Sequence, residues 1–275
     1  MRKIVHLSDI HFGTADPTVV DRLVEKVREL EPDIVVVSGD LTQRAKPREF
    51  REARQFLDRL PQPQIVVPGN HDVPLYNVYH RFIRGLDRFR SYISDDLNPA
   101  YFDEELGVIG VNTARSLTFK GGRINDEQVK NVRRLMAGHN SEALMVIVTH
   151  HPFDIPAGFS DNLIVGRAKR AMPQIADLGG DLFLAGHLHV SNTDTTAARY
   201  QLAGGRTALL VQAGTAASAR VRGESNSFNL IRYCRPKLYV ERFECNSHGV
   251  GFEFSNQSSY EKGANGWEQI DSEEK

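Results

Sequence analysis

Short apolar runs alternate with amphipathic stretches along most of the chain. Ile4-Val5-His6-Leu7 predicts a short buried strand. Asp16-Pro17 then supplies a helix start, with Asp16 as N-cap and Pro17 at the first helical position. Val20, Leu23, Val24, Val27 and Leu30 follow at steps of three and four, which makes one apolar helix face. Residues 34–37 predict a second strand, Phe50, Ala53, Phe56, Leu57 and Leu60 a second helix, and residues 65–67 a third strand. Strand, helix, strand, helix, strand is the order of a mainly parallel sheet.

The rhythm returns at residues 107–111 (strand), 126–136 (helix), 143–148 (strand), a helix ending at Ile175, and 182–185 (strand). From about Tyr200 the helical pattern stops. Residues 208–212, 227–233 and 237–243 predict successive antiparallel strands. Two sheets packed face to face, with helices outside, would suit this order. Residues 256–275 are polar, carry Gly and Ser, and predict a flexible tail. Residues 74–98 break the strand rhythm. They carry Arg81, Arg84 and Arg88 at helical spacing, either a solvated face or a lid facing an anionic substrate.

Composition narrows the class. The chain has 275 residues, 40% apolar and 25% charged, as expected of a soluble globular enzyme. A net charge of −1 argues against binding extended nucleic acid over the whole surface. Cys234 and Cys245 lack metal-ligand spacing and are expected to be free thiols. No apolar stretch is long enough for a signal peptide or membrane span, so a cytoplasmic location is expected.

The chemistry sits where the strands end. Strand one runs into Asp9-Ile10-His11, strand two into Gly39-Asp40, and strand three into Gly69-Asn70-His71-Asp72. Later strands run into His150-His151-Pro152 and Gly186-His187-Leu188-His189. Open α/β sheets place their sites beyond the carboxyl ends of strands, so these residues are expected to converge. In extended chain, residues two apart share a side, so Asp9 and His11 would reach one ion, and His187 and His189 a shared site. Imidazole and carboxylate without thiolate suit manganese, iron, zinc or cobalt better than a structural zinc or calcium site.

The five motifs, in this order, resemble the calcineurin-like metallophosphoesterases. The resemblance implies a metallophosphoesterase domain over residues 1–255, with 74–98 as a lid or cap insertion. It implies an α/β four-layer αββα sandwich of two mixed sheets flanked by helices, and two divalent metal ions. Asp9, His11, Asp40 and His189 would bind one ion; Asp40, Asn70, His150 and His187 would bind the other, with Asp40 bridging. His151 would lie behind the ligands or face the substrate. Such a pair of ions clamps the two oxygens of an in-line displacement and provides hydroxide at neutral pH. His71 matches the family's non-ligand histidine and would stabilise the transition state or protonate the leaving group, with Asp72 orienting it.

The sequence Gly39-Asp40-Leu41-Thr42, with Gly69-Asn70-His71-Asp72 and His150-His151-Pro152, is similar to bacterial class III cyclic-nucleotide phosphodiesterases and glycerophosphodiesterases. Residues 213–216 and 226–229 resemble that branch too. Thr42 departs from the repair-nuclease pattern, and Asp72 from the glutamate of the protein phosphatases. The implied substrate is a small cyclic or open phosphodiester: a cyclic nucleotide, a glycerophosphodiester or a phospholipid. A phosphomonoesterase, a nucleotide or lipid pyrophosphatase, and an inactive metal-binding scaffold are the competing readings. A lipid substrate would call for exposed apolar groups such as Phe82 and Phe89 in residues 74–98. Arg115, Arg220 and Arg222 could reach substrate but are expected to form surface salt bridges. The chain could be a monomer or a homo-oligomer.

Overall fold

The computed structural model describes residues 1–74, 85–115, 121–139, 142–218, 224–246 and 251–270. Two sheets lie face to face. The first has β1 (Arg2–Leu7), β2 (Ile34–Val37) and β3 (Gln64–Val66) parallel at one end. Beyond β1 it continues antiparallel through β10 (Ser227–Cys234), β11 (Lys237–Cys245), β12 (Phe252–Gly263) and β13 (Gly266–Ile270). The second sheet runs β4 (Ala100–Phe102), β5 (Leu106–Gly110), β6 (Leu144–Val148), β7 (Gly180–Ala185), β9 (Leu209–Gln212) and β8 (Asn192–Thr195). Within it β5, β6, β7 and β9 are parallel.

Side-chain alternation builds the layers. Ile4, Ile34 and Val36 face the second sheet and meet Leu106, Val108, Leu144, Val146, Leu182 and Leu184 there. Val5, Leu7, Val35 and Val37 face outward and are covered by α1 (Pro17–Glu29) and α2 (Pro47–Arg59) through Leu23, Val27, Phe50 and Phe56. On the far side, Met145, Ile147 and Phe183 pack under α4 (Asp126–Ala137) and α5 (Ala168–Ala176). Both faces of the central strands are therefore buried, which is why they read as unbroken apolar runs. The result is the expected four-layer αββα sandwich of two mixed sheets.

The helix starts follow from local chemistry. The Asp16 carboxylate accepts from the Thr18 and Val19 amides at 2.8 and 3.4 Å, ahead of Pro17. Asn125 caps α4 by accepting from the Gln128 amide at 2.8 Å.

Three expectations are corrected. Residues 256–270 are no flexible tail: β12 and β13 complete the first sheet, and Tyr260 and Trp267 are buried between the sheets. Their polar neighbours occupy the solvated face of an antiparallel sheet, a pattern that resembles a tail when read without its partner strand. Trp267→Ala is accordingly expected to cost about 3–5 kcal/mol in urea unfolding. Unchanged stability would show that the hairpin adds nothing to the core. Second, residues 208–212 do not begin an antiparallel meander. β9 pairs parallel with β7 in the other sheet, and the meander starts at β10. Third, the described end of the 74–98 region is packed rather than lid-like. Phe89, on α3 (Asp87–Tyr92), is buried against the α1–α2 layer, and Arg88 donates to the Ala45 carbonyl at 2.7 Å. Arg81, Phe82, Arg84, Arg220 and Arg222 lie outside the described residues. Cys234 is exposed, Cys245 is buried, and both are free. Among the described residues, no helix is long and apolar enough to cross a membrane.

Candidate metal centre

The loops after β1, β2, β3, β6 and β7 converge at one end of the two sheets. Asp9, Asp40 and His150 are almost wholly buried and stand within 4.8 Å of one another through their ligand atoms. Two further groups flank this core at the same spacing: Asp9 with His11 and His189, and His150 with His151 and His187. Asp40 Oδ2 lies 3.4 Å from His150 Nε2 and 3.9 Å from His11 Nε2, so it faces both flanks. Asn70 Oδ1 lies 3.0 Å from His150 Nε2. The structure thus brings together all seven residues expected as ligands.

Their backbone differs from the extended form expected. Asp9, His11, Asp40, His187 and His189 have φ of 54°, 56°, 52°, 74° and 60°. These are left-handed conformations, uncommon for non-glycine residues and concentrated at functional sites. Local spacing had placed His187 and His189 at one shared site. Instead the turn splits them, His189 toward Asp9 and His11, His187 toward His150.

Hydrogen bonds fix the ring orientations. A carbonyl can only accept, so His150 Nδ1 carries the hydrogen it donates to Ser38 O at 2.8 Å, and its Nε2 faces Asp40 and Asn70. His189 Nδ1 meets the Thr215 hydroxyl at 2.8 Å. Asp9 Oδ2 accepts from the Ser8 hydroxyl at 2.6 Å and from the His187 amide at 3.0 Å. Its Oδ1 has no hydrogen-bond partner among the described residues, and neither does the buried Nε2 of His187. Ser38 and Thr215 are not legible as site residues from sequence, because each acts on a motif distant in the chain, whereas Ser8 adjoins Asp9 directly.

Glycines make room. Gly39 has φ of +96°, and a Cβ there would stand 2.7 Å from His150 Nδ1; a Cβ on Gly69 would collide with the Asp40 carboxylate. Gly69→Ala is therefore expected to displace Asp40 and lower bound metal and activity by about 10–100-fold, read by elemental analysis and turnover.

Charge supports a cation here. Burial alone would raise the Asp9 and Asp40 carboxyls, yet both sit below their ordinary range. His189 and His11 dominate for Asp9, and His150 for Asp40. Burial would also strip the His150 proton, but Asp40 overcomes it and pushes the imidazole up to about 9. Burial, reinforced by His150, draws His187 down to about 4, so its ring is a neutral donor. Two buried carboxylates, neutral imidazole and an amide oxygen, with no thiolate, fit divalent transition metals.

Asp72 is placed differently from expectation. Asp72 does not orient His71. Its carboxylate accepts from the Gly69, Thr42 and Leu41 amides at 2.9, 2.9 and 3.3 Å, and from the Thr42 hydroxyl at 2.9 Å. It clamps the second motif loop to the third. Burial and the nearby Asp40 charge push Asp72 up to about 6. His71 Nδ1 instead donates to the Gln43 carbonyl at 2.8 Å, and the His71 amide donates to Asp40 Oδ1 at 2.8 Å. His151 is fully buried, its Nδ1 2.9 Å from the Thr113 hydroxyl and its ring 4.6 Å from that of His187. Arg115 is half-buried and makes no salt bridge among the described residues. Its Nε donates to the Arg123 carbonyl and its Nη2 to Gln128.

Residues 2–191 match the calcineurin-like phosphoesterase family model, and the chain belongs to that family. The family generally uses a dinuclear divalent metal site. The chain is 28% identical over 197 residues to a "transmembrane protein with metallophosphoesterase domain" of Danio rerio, covering 68% of this chain and 40% of that one. It is 44% identical over 70 residues to the glycerophosphodiester phosphodiesterase GpdQ of Enterobacter lignolyticus, covering 26% of this chain and 24% of the relative. The chain thus spans well under two thirds of either relative. Among solved structures, purple acid phosphatase PPD1 of yellow lupin (Lupinus luteus) shares the fold. The TM-score is 0.69 at 11% identity, covering 94% of this chain and 53% of that one.

Proposed function

We propose that the protein is a phosphodiesterase that hydrolyses a small cyclic or open phosphodiester at a dinuclear metal centre. The carrying observation is the buried Asp40, whose one carboxylate faces His11 on one side and His150 with Asn70 on the other. Asp9, His11, Asp40 and His189 would hold one ion; Asp40, Asn70, His150 and His187 would hold the second. Bound there, two divalent ions would polarise the phosphoryl oxygens and provide an activated water at neutral pH.

The chain's own groups do the rest. With Nδ1 committed to the Gln43 carbonyl, His71 keeps Nε2 for the substrate, where it would bind a phosphoryl oxygen and deliver a proton to the leaving oxygen. The Asp72 clamp holds the Asp40 and His71 loops at fixed separation, so the proton donor is placed relative to the bridging carboxylate. The match to a glycerophosphodiester phosphodiesterase over 70 residues supports the diester reading.

The test is an assay of manganese-loaded protein on bis(p-nitrophenyl) phosphate against p-nitrophenyl phosphate, then on cyclic nucleotides, glycerophosphodiesters and phospholipids. The diester is expected to be the better substrate, and a chelator to abolish turnover until manganese is restored. Preference for the monoester would overturn the diesterase assignment. Inactivity on every ester with two metals bound would favour a non-catalytic scaffold.

A further inference from the structure

Arginines collect beside the histidine wall of the centre. The Thr113 hydroxyl meets His151 Nδ1 at 2.9 Å, and the Thr113 carbonyl accepts from the Arg123 amide at 3.0 Å. Arg115 lies two residues beyond Thr113, a reach of at most about 7 Å. Its Nε donates to the Arg123 carbonyl at 3.2 Å. Arg123 pairs in parallel register with Gly166, and the Gly166 amide donates to the Gly122 carbonyl at 2.8 Å. Arg167 follows at the start of α5, held in left-handed backbone at φ 71°. Two adjoining loops thus bring these three arginines into one neighbourhood, close enough for Arg123 and Arg167 to act on the Arg115 charge.

Their charge is not balanced locally. Asp126 lies 3.5 Å from Arg167 and 3.6 Å from Arg170, and is the one carboxylate that pairs with this group among the described residues. None pairs with Arg115 or Arg123. Burial, together with Arg123 and Arg167, draws the Arg115 guanidinium below its ordinary value. Arg123 and Arg167 reach solvent beside the half-buried Arg115, so an anion entering there would meet all three positive charges. Planar guanidinium forks match phosphate oxygens in particular.

We propose that Arg115, Arg123 and Arg167 form an anion subsite beside the metal centre that takes a second anionic group, a phosphomonoester, next to the diester under attack. This rests on the phosphodiesterase reading above. The monoester can be part of a soluble substrate or the headgroup of a neighbouring lipid.

Two matched probes and one surface separate these cases. The manganese-loaded protein is assayed on the p-nitrophenyl ester of thymidine 5′-phosphate, with and without a 3′-phosphate. Separately, it is sedimented with phosphatidylcholine vesicles, with and without phosphatidic acid. For a soluble substrate, the 3′-phosphate is expected to lower KM about tenfold, and Arg123→Gln/Arg167→Gln to erase that difference. For a lipid headgroup, phosphatidic acid is expected to recruit the protein, and the same double variant to abolish recruitment. Arg115→Lys keeps the charge while removing the fork, and is expected to weaken the same readout; it guards against misfolding of a neutral replacement. Equal KM for both esters with no response to phosphatidic acid, or a preference that survives all three substitutions, overturns the subsite. Cleavage of neither ester refutes the phosphodiesterase reading, and the vesicles still report on the subsite.

Discussion

His71→Ala is expected to lower kcat by about 10²–10⁴-fold while leaving two metals per chain. His71 touches the centre through its backbone amide, which donates to Asp40 Oδ1 and survives the substitution. Its ring is fixed from behind by the Gln43 carbonyl and supplies no atom to any of the three clusters that could hold an ion. Removing the ring should therefore remove a transition-state contact, lowering kcat and kcat/KM together. Elemental analysis beside steady-state kinetics is the check. Loss of metal with normal turnover in the reloaded enzyme would show that His71 is part of the metal scaffold instead.

Asp40→Asn is expected to act on the other half of the arrangement. The shape is kept, and the amide oxygen can still accept from the His71 amide. The negative charge that faces His11 on one flank and His150 on the other is gone. Substitutions around metal ligands cost about 10–100-fold; a ligand common to two ions should cost more, on the order of 10³-fold in activity. Bound metal should fall below two per chain. Two ions retained with wild-type kinetics would remove Asp40 from the bridging position.

The parts of the site legible in sequence were those written locally. Each motif follows an apolar strand, and strand ends in an α/β sheet face one place, so the seven candidate ligands from Asp9 to His189, which the structure brings together, could be named. What the sequence did not display were contacts between motifs. Asp72 looked like the natural partner of His71, its neighbour in the chain, but its carboxylate is spent on the Thr42, Leu41 and Gly69 amides. The group that does fix His71 is the backbone carbonyl of Gln43, which no residue pattern advertises. The same distinction applies to the fold. β1, β2, β5, β6 and β7 are buried on both faces and read clearly. Over residues 256–270, β12 and β13 are mostly polar, and the buried Tyr260 and Trp267 lie on different strands, so no apolar period marks either one. β4 and β8 are edge strands without a buried apolar run, β8 being polar throughout, so neither stands out from a loop.

The left-handed backbone at five candidate ligands sets chemistry against robustness. A non-glycine residue in that conformation costs about 1–3 kcal/mol unless its surroundings hold it there. Glycine would relieve the strain at Asp9, His11, Asp40, His187 or His189 and delete the ligand in the same stroke. Selection of variants for heat resistance alone, without a screen for turnover, would therefore drift toward inert chains with these loops relaxed. Keeping the enzyme while hardening it means working elsewhere, on the helix faces and the β12–β13 hairpin, where stability and catalysis do not compete for the same residues.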